Sequence, residues 1–261
     1  MFTSLQIELE GPVATLWMNR PALHNAFDEN LITELTAACA ALDADRDVRV
    51  VILAGRGKSF SAGADLNWMK RAADNGLDDN LNDARQLAAM LRSLAEMRKP
   101  TIARVHGAAL GGGMGLAAAC DIAVASTEAV FATSEVKFGL IPSAISPYVL
   151  RAIGARQATR YFLSAERIGA ERARDIGLVH ECVVPAQLDA RVQEIASGLL
   201  QGGPLAQAAA KELVRAIDGQ PVNQTLLEET AHRIARLRAT PEAREGIAAF
   251  LEKRAPAWMG E

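Results

Sequence analysis

The feature that most constrains this chain is an alternation of segment types. VRVVILAG (Val48 to Gly55), Thr101 to Val105 and Asp121 to Ala125 are short, apolar and rich in β-branched residues, so they read as strands. Between them lie segments with helical spacing. One runs into a helix containing Trp68 and Met69, one ends near Arg98 before Pro100, and one covers about Gly112 to Ala119. Strand, helix, strand, helix, strand implies an α/β core with crossover connections. Ahead of it, LQIEL and VATLWMN flank Glu10-Gly11-Pro12 and read as a hairpin, and Asp28 reads as the N-cap of a helix running to Leu42. Asp74 to Asp83 is Asn/Asp-rich and reads as a mobile connection. After about residue 186 the pattern is helical, broken at Gly202-Gly203-Pro204, Pro221 and Pro241. The reading is therefore an α/β core over 1–185 and a helical segment over 186–261, with no internal sequence repeat.

A chain of 261 residues, half of them hydrophobic, can bury a core without disulfide or metal staples. A net charge of −3 gives no electrostatic reason for nucleic acid or an anionic membrane as partner. Cys39, Cys120 and Cys182 are odd in number and lack CxxC spacing, so they read as reduced thiols, without zinc, in a reducing compartment such as the cytoplasm. MFTSLQIELEGPV has no signal-peptide pattern, and no uncharged run reaches the ~20 residues a membrane span needs.

Two small-residue loops stand out. Phe60-Ser61-Ala62-Gly63-Ala64-Asp65-Leu66 follows a strand and enters a helix, as does Gly111-Gly112-Gly113. N–H groups at a helix start are unpaired and carry partial positive charge, and small side chains let a ligand reach them. Each loop alone is read as an ordinary turn. The glycine cluster is neither a P-loop nor a dinucleotide fingerprint. Together the loops could supply two N–H groups to one oxygen, an oxyanion hole worth about 3–4 kcal/mol per donor. Glu135, in Phe131-Ala132-Thr133-Ser134-Glu135, sits among apolar and neutral residues that would raise its pKa toward acid–base use, although composition alone favours a surface Glu paired with Lys137. His24, His106, His180 and His232 are scattered and read as hydrogen-bonded or surface residues.

RPALHNAF, FSAGADLNWMKR, VHGAALGGGMGLAAACDIAVAS, FATSEVKFGLIP, RARDIGLVHECV and FLEKRAPAW occur in this order. Together they resemble the enoyl-CoA hydratase/isomerase (crotonase) superfamily over about residues 5 to 258. The resemblance implies a crotonase-like spiral of ββα turns with a C-terminal helical trimerisation region, assembled as a homotrimer or homohexamer. It implies an acyl-CoA substrate and no separate cofactor, because coenzyme A belongs to the substrate. The Ala64 and Gly112 amides match the family's oxyanion-hole donors, and Glu135 matches a proton-transferring glutamate. Ala22, Ala62, Ala64, Asp65, Leu66 and Gly112 match the segments that hold coenzyme A and the thioester. Lys253 matches a C-terminal lysine that approaches the CoA phosphates, often from a neighbouring subunit. A valine in place of Gly112 is expected to crowd the carbonyl.

One departure is visible. Where two-glutamate hydratases carry a second Glu, two residues after GGG, this chain has Gly115, read as leaving space. That brings the chain closer to one-glutamate members, including Δ3,Δ2-enoyl-CoA isomerases. FSAGADLNWMKR and SEVKFGLIPSAISPYVLRAIG are similar to bacterial 3-methylglutaconyl-CoA hydratases and isohexenylglutaconyl-CoA hydratases. A carboxylated substrate would be repelled by a second glutamate by roughly 4 kcal/mol at 4 Å and an effective dielectric of 20. The leading expectation is hydration of a branched, carboxylated enoyl-CoA, with Lys70 or Arg71 facing the acyl carboxylate and Ser134, Ser143 or Ser146 helping to orient water. The alternatives are an isomerase and a non-catalytic CoA- or RNA-binding scaffold.

Overall fold

The computed structural model describes residues 2–259. Strands β1 (Leu5–Glu10) and β2 (Val13–Met18) form the expected antiparallel hairpin, turned at Gly11 with φ +55°. Helix α1 (Glu29–Ala44) follows, started by Asp28, whose side chain accepts the Leu31 N–H at 2.8 Å. Then come β3 (Val50–Gly55), α2 (Leu66–Asp74), α3 (Leu77–Ala95), β4 (Thr101–Val105) and β5 (Ala108–Leu110). The chain continues through α4 (Gly112–Ala119), β6 (Ile122–Ser126), β7 (Val130–Ala132), α5 (Ser146–Ser164, broken at Gly154) and β8 (Ile168–Gly169). Last are α6 (Ala170–Asp175), β9 (Glu181–Val183) and helices α7 (Leu188–Leu200), α8 (Pro204–Ile217), α9 (Gln224–Arg238) and α10 (Pro241–Glu252).

Two sheets result. The larger runs β1-β2-β3-β4-β6-β9, parallel after the hairpin, and the smaller runs β5-β7-β8. β4 and β6 lie in the larger sheet, while β5 and β7, which follow them, lie in the smaller one. Each pair is then succeeded by a helix. Earlier turns repeat the plan with single bridges, Phe27 to Ala64 and Ser61 to Ala109, in place of small-sheet strands. The repeat is one of ββα geometry, invisible in the sequence because bridges of one residue carry no alternation.

Side-chain period 2 divides the core. Val51 and Leu53 face α1, α3 and α4, whereas Val50 and Ile52 join Val13, Ile102 and Val124 beneath Leu188, Val192 and Ala196 of α7. The first helix after residue 186 thus shares a core with the sheet, and α8–α10 lie beyond it. Lys211 fastens α8 back to the sheet through Asp121 at 2.5 Å and the Lys99 carbonyl at 2.8 Å.

One connection differs from expectation. The stretch 74–83 is largely helix, because α3 starts at Leu77 with Asp78 and Asp79 in its first turn. Carboxylates there oppose the positive end of the helix dipole, so residues that read as loop favour a helix start.

Candidate active site

Equivalent positions in successive ββα turns bring the two small-residue loops together. Ser61 N–H donates to the Ala108 carbonyl at 2.9 Å, and Leu110 N–H donates to the Ser61 carbonyl at 2.9 Å. Each loop then enters its helix, one at Asp65 and the other at Gly111. Gly63 (φ +90°) and Gly111 (φ +49°) hold backbone that disfavours a side chain, and a Cβ on Gly63 would lie 3.0 Å from the Leu110 carbonyl oxygen. Among the described residues, the N–H groups of Ala64 and Gly112 donate to no protein acceptor.

Glu135 opens a short 3-10 turn, Glu135–Phe138, just past β7. Its Oε1 would lie 3.1 Å from a Cβ on Gly111, so the carboxyl group stands beside the glycine loop. Its Oε2 is buried and has no hydrogen-bond partner. Burial pushes its pKa upward, opposed only by its own backbone N–H. Among the described residues it forms no ion pair, with Lys137 or any other cation, which removes the simpler surface reading.

The loop is braced by residues that the sequence reading did not single out. Asn25 is fully buried. Its Oδ1 accepts the Arg20 N–H at 2.9 Å, and its Nδ2 donates to the carbonyls of Arg56 (2.9 Å) and Ser59 (2.8 Å). Ser61 Oγ donates to the Asn25 carbonyl at 2.8 Å. An amide and a hydroxyl set among small apolar residues were the available signals, since such groups are buried only with partners.

The expected site residues fall into groups. Ala22 is exposed on the 3-10 turn Pro21–Leu23, and Ala62 N–H donates to the His24 carbonyl at 2.9 Å beside it. Leu66 is exposed at the start of α2. Asp65 has internal partners. Its Oδ1 accepts the Asn67 and Trp68 N–H groups at 2.8 and 3.3 Å, its Oδ2 pairs with Arg20 at 3.3 Å, and its own N–H donates to Phe27. Its polar groups are occupied in shaping the loop. Lys253 is exposed at the C-cap of α10, with φ 56°, and none of the hydrogen bonds of α10 reaches the glycine loops.

Three further expectations change. Gly115 does not face open space: a Cβ there would lie 2.2 Å from Ile145 Cγ2. A side chain on Gly112 would meet the Phe27 ring, at 2.3 Å from Cε2, so a valine would disrupt packing rather than crowd a carbonyl. Arg71 is engaged by Glu29, at 2.6 and 2.8 Å at the start of α1, and Lys70 is exposed. The histidines are engaged as expected, His24 with Ser59, His106 with the Gly57 carbonyl, His180 with the Ala123 N–H and His232 with Glu228. Cys39 and Cys120 are buried and Cys182 half-buried, all free. Among the described residues no helix is long and apolar enough to cross a membrane.

Two helix-entry loops with free N–H groups stand beside one carboxyl group with a buried oxygen, an arrangement chemically able to hold an oxygen and move a proton. The chain belongs to the enoyl-CoA hydratase/isomerase family, whose model matches residues 8–261. It is 36% identical over 261 residues to the 2,3-dehydroadipyl-CoA hydratase of Escherichia coli, covering 99% of both chains. It is 34% identical over 259 residues to the crotonyl-CoA hydratase of Syntrophomonas wolfei, covering 97% of this chain and 96% of that one. The crystal structure of an enoyl-CoA hydratase from Shewanella pealeana superposes with a TM-score of 0.96 at 42% identity, covering 98% and 96% of the two chains.

Proposed function

We propose that the chain adds water to an α,β-unsaturated acyl-CoA, with Glu135 as the only acid–base group. The observation that carries this is the buried, unpartnered Oε2 of Glu135 beside the glycine loop. In this reading the thioester oxygen accepts the N–H groups of Ala64 and Gly112. Glu135 takes a proton from water as the water oxygen bonds C3, while the C2=C3 electrons move toward the thioester oxygen. As the enolate collapses, Glu135 returns a proton to C2, and one water is consumed with no other reactant. A carboxylate whose pKa is raised accepts the proton more readily than an ordinary one.

Coenzyme A arrives as part of the substrate, against Ala22, Ala62 and Leu66, and the activity belongs to a reducing compartment, the cytoplasm. The acyl chain in this proposal is branched and carboxylated, as in 3-methylglutaconyl-CoA. Supporting it are the absence of a carboxylate at Gly115, which would repel such a chain, and the carboxylated substrate in the name of the dehydroadipyl-CoA hydratase relative. Arg71, held by Glu29, lends it no support. A Δ3,Δ2-enoyl-CoA isomerase is the second reading, favoured by the apolar Ile145 over Gly115: one carboxyl group can move a proton between carbons without water.

Residues 1–185 carry the chemistry in this proposal and 186–261 the assembly, a homotrimer or homohexamer that brings Lys253 to a neighbour's CoA phosphates. Exposed apolar side chains such as Leu227, Ile234, Phe250 and Leu251 support it. Ultraviolet assay of crotonyl-, 3-methylglutaconyl- and 3-enoyl-CoA tests the reaction. Loss of enoyl absorbance fastest with 3-methylglutaconyl-CoA supports the reading. Gain of absorbance from 3-enoyl-CoA alone replaces it with isomerisation.

A further inference from the structure

Gly115 lies on α4 one helical turn beyond Gly111, the residue that stands against the Glu135 carboxyl group. Along that turn the surroundings change from a carboxylate to hydrocarbon. A Cβ on Gly115 would lie 2.2 Å from Ile145 Cγ2, 2.8 Å from Ile145 Cβ and 3.6 Å from Leu91 Cδ2. Ile145 is 2% exposed and Leu91 fully buried.

The Ile145 side chain cannot easily retreat, because its backbone is clamped. Its carbonyl accepts the N–H groups of Tyr148 and Val149, each at 3.1 Å, as α5 begins. The turn that spans Ile145 is closed by Ser146, whose N–H and Oγ both donate to the Ser143 carbonyl, at 3.1 and 2.8 Å. That turn also occupies the Ser146 hydroxyl, one of the groups expected to orient water. The branched side chain has few rotamers to offer as an escape.

We infer that Ile145 is the specificity-determining residue that restricts this site to a single carboxylate, by filling the place a side chain at position 115 would take and making it apolar. The inference rests on Glu135 being the acid–base group. Gly115 is then one half of a matched pair. It is not a vacancy, and glycine is the residue that fits while Ile145 is present. The wall built by Ile145 and Leu91 offers no hydrogen-bond donor or acceptor, so any water near it is held from the Glu135 side.

The test is a four-cornered set: wild type, Gly115→Glu, Ile145→Gly and the double variant, each assayed for crotonyl-CoA hydration across pH and for thermal melting. Gly115→Glu alone should overpack the site and lower Tm by roughly 4–10 °C. The double variant should recover part of that loss and hydrate at least about tenfold faster than either single, with a second ionisation in its pH profile. Gly115→Ala with and without Ile145→Ala repeats the cycle with milder changes, should Gly115→Glu fail to fold. Additive Tm changes in both cycles overturn the inference. So does a double variant that folds yet hydrates no faster than the singles and gains no ionisation. A wild type inactive on every acyl-CoA, with non-additive melting retained, would instead sink the hydratase reading and leave the steric pairing intact.

Discussion

The glycine loops and the C-terminal helices leave opposite things unpaired. Around Glu135, polar groups lack partners among the described residues: the N–H groups of Ala64 and Gly112 and the Oε2 of Glu135. On α8–α10 many charges are paired while large apolar side chains are left exposed. Arg254 grips Glu245 at 2.6 and 3.0 Å and holds its carboxyl pKa down to about 2, and Arg233 bridges Glu212 and Glu229. Yet Phe250 and Leu251 on α10 are 82% and 73% exposed. Burying a polar group without a partner costs roughly 1–3 kcal/mol, and exposing large apolar side chains forgoes burial energy of similar size. In the proposed function each region is completed from outside, by a substrate oxygen and proton in the first and a second copy of the chain in the second.

Removing the unpaired acid should have the largest effect. Glu135→Gln keeps the shape and loses the proton carrier, so kcat on the best enoyl-CoA should fall roughly 10²–10⁴-fold with KM little changed. Steady-state kinetics decide this, and near-normal turnover would end the assignment. Phe250→Asp with Leu251→Asp tests the other region. Sedimentation should show the trimer or hexamer shifting to monomer, and KM should rise if Lys253 serves a neighbour's site. A wild type that is already a stable monomer at micromolar concentration would break the comparison.

A smaller effect is expected at the loop itself. Gly111→Ala puts a side chain at φ +49° and 3.1 Å from Glu135 Oε1, which should cost roughly 1–3 kcal/mol in a melting experiment and lower kcat. Unchanged melting would mean that the loop relaxes freely. The smallest effect is on stability. Burial raises the folded-state pKa of Glu135, so its contribution is most favourable below the ordinary carboxyl value and is lost as pH rises through the raised one. Glu135→Gln should therefore match or exceed the wild-type Tm at pH 7, with the gap closing as pH falls toward 4. A Gln variant clearly less stable at pH 7 would show that the carboxylate has a favourable partner in the folded protein.

Much of the site was legible because its chemistry is carried by short local patterns. Gly111-Gly112-Gly113 starts α4 as read, and Glu135 stood out as an acid among apolar neighbours. The hairpin was equally plain, its strands separated by Gly11-Pro12. What was hidden depends on contacts between distant residues. Asp65 read as a ligand, and only Arg20 and the α2 N–H groups reveal that its carboxylate is occupied. Gly115 read as space because nothing in its own segment points to Ile145, thirty residues on and inside a small-residue run. The small-sheet strands β5, β7 and β8 have two or three residues each, too few for any alternation to show.

The central claim is that one carboxyl group, Glu135, exchanges a proton with the acyl chain. The most direct test is to run the reaction in D2O and follow deuterium entering the α-carbon of the acyl-CoA by NMR, for wild type and Glu135→Gln. This reads proton transfer to carbon whether the net reaction is hydration or isomerisation. The account predicts steady α-carbon labelling by the wild type and a roughly 10²–10⁴-fold slower rate in the variant. Labelling by Glu135→Gln at the wild-type rate would contradict it.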